Sequence, residues 1–171
     1  MGLREGDGLM AGARSSRRGF LAAGAATIGL TVAGCLGDNT DEWESGETFA
    51  VASATQYQGP NCDCCDVYAD YLADHLESDL ETVTTDDLAG VKAGYGIAEP
   101  LQSCHTVVLD GTIVEGHVPV EVVGSALSDD VTGIALPGMP AGSPGMGGEK
   151  DETWTVYELE DGGEPAVYTE L

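Results

Sequence analysis

Residues 59–72 read "GPNCDCCDVYADYL" and join a Gly-Pro loop to the start of a helix. Apolar side chains then recur at helical spacing, at Val67, Tyr68, Tyr71, Leu72, His75 and Leu76. We expect His75 to pack within this stripe rather than to bind a ligand. The three cysteines therefore fall in the loop and the first helical turn, where unpaired backbone N–H groups favour thiolate.

The segments around this helix predict the rest of an α/β fold. We expect strands at 48–55, "TFAVASAT", and at 80–85, "LETVTT", followed by a short helix that Asp86 caps and that ends near Gly94 or Gly96. Pro119 should open another helix, which runs to about Leu127.

Two hairpins complete the predicted arrangement. "CHTVVL" and "TIVEGHV" flank Asp110-Gly111, which is a strong two-residue turn signal. The last segment, "TWTVYELEDGGEPAVYTEL", alternates about a DGG turn and predicts a C-terminal hairpin without catalytic content. The order β-α-β-α-β-β-α with an added C-terminal β-hairpin is that of a thioredoxin-like fold.

The first hairpin sets a specific register. If Asp110 and Gly111 form the turn, Leu109 pairs with Thr112, and counting back places Cys104 opposite His117. Directly opposed residues have Cβ atoms about 4.5–5.5 Å apart. In this fold the loop that enters the third strand packs beside the start of the first helix. We therefore expect Cys104, His105 and His117 to face the "CDCC" turn.

The first 35 residues predict an export signal. "SSRRGFLAAGAATIGLTVAGC" begins with Arg17 and Arg18, continues through an uncharged apolar run and ends at Cys35. The arginine pair resembles a twin-arginine signal, and "VAGC" resembles a lipobox in which Cys35 carries the lipid. The alternative is a cytoplasmic tail with a chance arginine pair. We expect 1–35 to be the signal, 36–47 an acidic tether and 48–171 the domain, exported and anchored at the outer face of the cytoplasmic membrane.

The charge of the chain narrows its environment and its partners. Asp and Glu number 30 against 6 Lys and Arg, and beyond residue 34 the only basic residues are Lys92 and Lys150. Such a surface repels nucleic acid and anionic membranes, so membrane contact through a lipid anchor alone is expected. At molar salt the screening length is about 3 Å, which largely removes this self-repulsion. The composition therefore predicts a halophilic source.

The cysteine count limits what the thiols can do. With Cys35 assigned to lipid, four cysteines remain, and thiols outside the cell tend to oxidise unless a metal or a partner protects them. A disulfide between Cys64 and Cys65 would need a strained ring, and one between Cys62 and Cys64 is also tight. Purely structural disulfides therefore explain "CDCC" poorly.

Four motifs in order carry a family resemblance: "GPNCDCC", "SCHTVVLDG", "EGHVP" and "LPGMPAGSPGM". From about Thr48 to the end, the chain resembles the domain-of-unknown-function 411 family of small exported metal-binding proteins. The resemblance implies a thioredoxin-like fold and a link to copper handling or resistance. The family's cysteine and histidine positions carry over to Cys62, Cys64, Cys65, Cys104, His105 and His117.

Two positions depart from the family pattern. The family commonly has glycine between its first two cysteines and after the third, where this chain has Asp63 and Asp66. The added negative charge favours a bound cation and disfavours thiolate. His105 lies where thioredoxins place a cis-proline, so it could shape the site as well as bind metal.

The ligand types favour copper over zinc. Thiolate, imidazole and thioether form a soft set that suits Cu(I), whereas zinc takes Cys and His but rarely Met. Met139 and Met146 both lie in the Gly/Pro-rich loop, which could fold over the cysteine site and present a sulfur. The alternative is that both methionines fill gaps in the core.

Two classes of function follow from these residues. The first is a Cu(I)-binding protein for sequestration, delivery, sensing or resistance, which would exchange copper with an accepting or exporting protein. The second is a thiol-disulfide oxidoreductase that uses the Cys62/Cys65 pair as a CxxC motif. A thiol reductant that maintains a copper site in another protein would combine them. Cys64 favours the first class, because a metal site gains a ligand from it.

Overall fold

The computed structural model describes Trp43, residues 46–160 and residues 165–171. The predicted signal with Arg17, Arg18 and Cys35, most of the predicted tether, and the DGG turn lie outside the described residues. Within the described residues, no helix is both long enough and apolar enough to cross a bilayer.

In the part of the chain that the structure describes, seven strands form one mixed sheet in the order β2-β1-β3-β4-β5-β6-β7. The strands are β1 (Ala54–Gln58), β2 (Leu80–Thr84), β3 (His105–Leu109), β4 (Thr112–Glu115), β5 (Gly133–Ala135), β6 (Thr155–Glu158) and β7 (Ala166–Glu170). The helices are α1 (Asp63–Ala73), α2 (Leu88–Gly94) and α3 (Val120–Asp129), with a short 3-10 helix at Glu99–Leu101. Two pairs, β1 with β2 and β4 with β5, are parallel. The element order confirms the predicted thioredoxin-like α/β fold.

The sheet separates two apolar clusters. Tyr68 and Leu72 of α1 share the larger cluster with residues of α3 and with Val107 of β3. The smaller cluster contains Ile97, Leu101 and Ile113. Val107 and Ile113 point to opposite faces of the hairpin, because Val107 pairs with Val114, the neighbour of Ile113. Helices α1 and α3 therefore cover one face of the sheet, and the segment around the 3-10 helix covers the other.

The predicted first strand was wrong in position. Strand β1 runs from Ala54 to Gln58, and Phe49 makes only an isolated bridge with Leu76. Polar Gln56 and Gln58 are buried on this strand, so its inward face does not look apolar in the sequence. The NH2 group of the Gln56 amide donates to the Gln58 side chain at 2.7 Å and to the Cys65 carbonyl at 2.8 Å, which satisfies both of its hydrogens.

Two smaller differences concern α2 and β5. The cap of α2 is Asp87 rather than Asp86, since its side chain accepts from the backbone N–H of Gly90 at 3.0 Å. Strand β5 was not predicted, because a run of three residues carries almost no periodicity. It pairs with β4 and connects the thioredoxin-like part to the C-terminal hairpin of β6 and β7.

Candidate metal centre

The start of helix α1 gathers the three cysteines of "CDCC". Asn61 has a left-handed backbone (φ 58°), which turns the chain sharply, and Cys62 caps the helix with a non-helical ψ of 80°. The Cys62 carbonyl accepts the first helical hydrogen bond, from the Cys65 N–H at 3.0 Å. Cys64 and Cys65 therefore lie in the first turn, as the sequence predicts.

Cys64 lies closer to the other thiols than helical spacing alone predicts. On a regular helix Cys64 would point away from the side that Cys62 and Cys65 share, so it can join them only where the backbone is irregular. The turn at Asn61 and the non-helical Cys62 meet that condition, and the Cys64 and Cys62 sulfurs are 3.7 Å apart. The ligand atoms of Cys62, Cys64, Cys65 and Cys104 all lie within 4.8 Å of one another.

Cys62 and Cys65 form a disulfide, with Cα atoms 5.2 Å apart. Cys64 and Cys104 are free thiols, and both are half-buried. The structure therefore joins the pair that the oxidoreductase hypothesis named. It also leaves two further thiols beside that pair.

The hairpin register brings Cys104 and His117 together as predicted. Leu109 pairs with Thr112 and Thr106 with Glu115, so the sequence-based register is confirmed. The Cys104 sulfur lies 3.0 Å from His117 Nε2 and 3.4 Å from His105 Nδ1. Cys104 thus belongs both to the four-cysteine cluster and to a second cluster with the two histidines.

Hydrogen bonding orients the His117 ring. Its Nδ1 lies 2.6 Å from the carbonyl oxygen of Pro144, which can only accept, so Nδ1 carries the proton. The Nε2 lone pair then faces Cys104. A histidine whose second ring nitrogen donates to a carbonyl is the arrangement that proteins use to aim an imidazole at a metal.

Burial keeps the acidic and basic groups of this cluster neutral. It raises the pKa of the Cys104 thiol to about 12, and nearby Cys64 adds to the effect. Burial also lowers the pKa of His117 and holds that of His105 well below its usual value, with His117 and Lys92 contributing to the latter. Both imidazoles are therefore neutral at neutral pH, which is the form that binds metal.

Aromatic side chains close the inner wall of the site. The Tyr68 ring lies 4.5 Å from that of His105 and 5.2 Å from that of His117, centroid to centroid. The Tyr68 hydroxyl donates to the Val118 carbonyl at 2.8 Å, so it is not directed at the cysteines. The second ring nitrogen of His105, Nε2, is buried and has no hydrogen-bond partner among the described residues. This wall excludes water from one side of the cluster.

The Gly/Pro-rich loop of residues 136–148 packs against the site, as the sequence suggested. Pro144 accepts from His117, and a Cβ at Gly145 would lie 3.0 Å from the Cys64 carbonyl oxygen and 3.4 Å from His117 Nδ1. Met146 follows directly and is half-buried. Met139 is 53% exposed, so the alternative that both methionines fill core gaps is wrong for this residue. His75 is buried, with Nδ1 2.8 Å from the Tyr71 carbonyl oxygen, in accord with its predicted packing role.

Gly116 permits the close approach of the strands beside the site. Its φ is +82°, and a Cβ there would lie 2.5 Å from the Leu136 carbonyl oxygen and 2.9 Å from Ser103 Cβ. Only glycine therefore fits between Ser103 and Leu136. Gly116 directly precedes His117, and its backbone N–H donates to the carbonyl of His105, the residue that follows Cys104.

Sequence reasoning missed a buried polar network behind Cys104. Lys92 and Glu115 form an ion pair whose side chains are 4% and 0% exposed, and Thr106 hydrogen-bonds to both. The sequence does contain one indication of this network. Lys92 is one of only two lysine or arginine residues beyond position 34, in an otherwise acidic chain.

Comparison with known proteins agrees with this arrangement. The fold and the site together define a class of protein: a thioredoxin-like domain that carries a cluster of cysteines and histidines beside the start of its first helix. The model of the family "Protein of unknown function, DUF411" matches residues 101–146, which include Cys104, His105 and His117. Two solved structures of copper resistance protein CopG, forms 2 and 1, are each 34% identical and cover 73% of this chain. The matches span 99% and 98% of those chains, with TM-scores of 0.64 and 0.63.

The chain belongs to the DUF411 family, as its motifs predicted. No curated protein matches it.

Proposed function

We propose that this protein binds Cu(I) through its cysteine cluster and serves copper sequestration, delivery or resistance. The observation that carries the proposal is the convergence of four cysteine sulfurs within 4.8 Å, with the His117 Nε2 atom 3.0 Å from one of them. Similarity to structures of copper resistance protein CopG supports copper as the metal.

The donor set fits a soft monovalent ion. Reduction of the Cys62–Cys65 disulfide would make four thiolates available, and Cu(I) accepts such soft ligands readily. Cys62, Cys64, Cys65, Cys104 and His117 are the proposed ligands, with His105 as a further donor. The Gly/Pro-rich loop of residues 136–148 is called the covering loop below. From it, Met146 and the exposed Met139 could each add a thioether. Zinc would use the same cysteines but has little use for these methionines.

The test is competition between the reduced protein and a chromophoric Cu(I) chelator in molar salt. We expect wild-type protein to remove copper from the chelator, and Cys62→Ser, Cys65→Ser and Cys64→Ser each to weaken binding severely. Cys64 is included because its sulfur lies within the cluster. Affinity should fall as pH decreases, because ligand thiols must lose protons.

Matched methionine variants extend the same assay. Met146→Leu and Met139→Leu remove a thioether while preserving an apolar side chain. A loss of copper affinity in either variant assigns that sulfur to the site. If wild-type protein removes no copper even from a weak chelator, the proposed function is wrong.

The Cys62–Cys65 disulfide supports a second candidate, a thiol-disulfide oxidoreductase. The pair lies at the start of α1, where a redox CxxC of this fold is found. Turnover of an insulin-type disulfide that depends on Cys62 and Cys65, without copper binding, would establish this candidate. Turnover together with copper binding would favour a thiol reductant that maintains a copper site in another protein.

We also propose export and lipid anchoring through residues 1–35, with 36–47 as the tether and 48–171 as the functional domain. Support comes from Arg17, Arg18 and Cys35 in the sequence. Changing both arginines to lysine should retain the precursor in the cytoplasm, and Cys35→Ser should release the protein into the medium. Surface-located mature lipoprotein from the double lysine variant would contradict the twin-arginine assignment.

A further inference from the structure

The buried ion pair of Lys92 and Glu115 lies directly behind the loop that carries Cys104. Glu115 accepts from the Ser103 backbone N–H at 2.5 Å and from the Thr106 hydroxyl at 2.6 Å. Lys92 donates to the same carboxylate and, at 3.0 Å, to the Thr106 hydroxyl. The network therefore holds residues on both sides of Cys104.

The same network also reaches the covering loop. The Ser103 hydroxyl donates to the Gly138 carbonyl, in the segment that continues to Met139. Ser103 is thus fixed through its backbone by Glu115 and through its side chain to the loop. Any movement of Glu115 would be transmitted to Cys104 and to the loop together.

Stability alone does not account for a buried ion pair at this position. Moving two charges out of water is costly, and replacing such a pair with apolar residues of similar volume is often neutral or stabilising. Beyond residue 34 the chain has only two lysines and no arginine, and one of these lysines, Lys92, forms this buried pair. A positional role is the best-attested reason to retain a buried charged pair.

We propose that Lys92 and Glu115 are positioning residues that fix Cys104 against His117 and so set the metal affinity of the site. The metal-affinity part rests on the proposed function. The positioning part does not, because it concerns the geometry of the metal-free protein.

The decisive variant is Lys92→Met/Glu115→Met, which removes both charges without leaving either unpaired. We expect its free energy of unfolding to stay close to that of the wild type, because removing two buried charges offsets the loss of the hydrogen bonds to Ser103 and Thr106. Its Cu(I) affinity should fall about 10–100-fold, the usual cost of losing a residue that orients a metal ligand. We also expect iodoacetamide to alkylate Cys104 about tenfold faster in the metal-free protein whose Cys62–Cys65 disulfide is intact. The reason is that Ser103, the residue before Cys104, loses its hydrogen bond to the charged Glu115 carboxylate.

Three further variants distinguish an effect on the position of Cys104 from a general loss of protein stability. Lys92→Met/Glu115→Gln keeps an acceptor for the Ser103 N–H and should restore most of the affinity. Val156→Ala deletes core volume in β6, two strands from β4, and should lower stability while leaving affinity and alkylation unchanged. Thr106→Val removes the hydroxyl that bonds to Lys92 and Glu115, and it should lower the Cu(I) affinity about tenfold. This variant serves as the test if the double methionine variant does not fold.

The outcomes are distinguishable. Failure of the wild type to bind Cu(I) would overturn the proposed function, and the alkylation rates would still decide the positioning role. Wild-type affinity and wild-type alkylation in a folded Lys92→Met/Glu115→Met protein would overturn the inference. The same results in Thr106→Val would overturn it if the double variant does not fold.

Discussion

At the scale of single residues, Cys104 connects the features of the site. Its sulfur belongs to both candidate ligand clusters, its backbone follows Ser103 of the buried network, and its neighbour His117 is aimed by the covering loop. Burial holds its thiol neutral in the metal-free protein, so a bound cation would have to displace a proton. Metal binding at this residue is therefore coupled to proton release.

The buried histidines predict a pH-dependent stability. Burial lowers the pKa of both His105 and His117 from 6.5, so the folded state takes up protons less readily than the unfolded state. The stability that the two neutral histidines contribute is complete above pH 6.5, and it is lost as pH falls from 6.5 through their lower pKa values in the folded state. Between pH 7 and 5 we expect the free energy of unfolding to fall, by at most about 1.4 kcal/mol per pH unit for each histidine.

Chemical denaturation of metal-free protein in molar salt at pH 7, 6 and 5 measures this slope. His117→Asn is the matched control, since it removes one imidazole while the many carboxylates still titrate. Its slope should be shallower than that of the wild type. Identical slopes for the two proteins would mean that His117 does not contribute.

At the scale of elements, helix α2 matters because it carries Lys92. Asp87 caps it, whereas the adjacent Asp86 makes no capping bond to Gly90. Asp87→Ala should destabilise the protein by about 1 kcal/mol, and Asp86→Ala should have an effect near zero. Denaturation midpoints of the two variants check this prediction, and equal losses would contradict the assignment of the cap.

The elements also indicate what sequence reasoning can reach. The thioredoxin-like order and the Cys104–His117 register were predictable because apolar periodicity and the Asp110-Gly111 turn are local signals. Strand β1 was misplaced because its buried Gln56 and Gln58 are satisfied by hydrogen bonds to Cys65 and Asp66 of helix α1, which only the fold brings near them. The Lys92–Glu115 pair was missed for a similar reason, since 23 residues separate partners that only α2 and β4 bring together.

At the scale of the whole molecule, Trp43 attaches the end of the predicted tether to the domain. Its indole N–H donates to the Gly142 carbonyl at 2.8 Å, its carbonyl accepts from the Tyr71 hydroxyl at 2.9 Å, and its ring lies 5.5 Å from that of Trp154. The same residue thus contacts the helix that carries the cysteines and the loop that covers them. Trp43, which lies within the predicted tether, is therefore held against the domain.

Removing this contact should loosen the covering loop. Trp43→Phe keeps an aromatic ring but loses the indole N–H and its bond to Gly142, so backbone amides of residues 136–148 should exchange hydrogen about 2- to 10-fold faster. Trp43→Ala should have a larger effect. Hydrogen exchange followed by mass spectrometry measures both, with Tyr95→Ala as a control at an exposed aromatic residue. Unchanged exchange in Trp43→Ala would show that the loop is held without Trp43.

The central claim is that the cysteine cluster binds Cu(I). X-ray absorption at the copper edge, on reduced protein loaded with Cu(I) in molar salt, tests it most directly. We predict an edge typical of Cu(I), scattering dominated by sulfur, and a loss of sulfur scattering in Cys104→Ser. Copper surrounded by oxygen and nitrogen alone, or a spectrum unchanged in Cys104→Ser, would contradict the account.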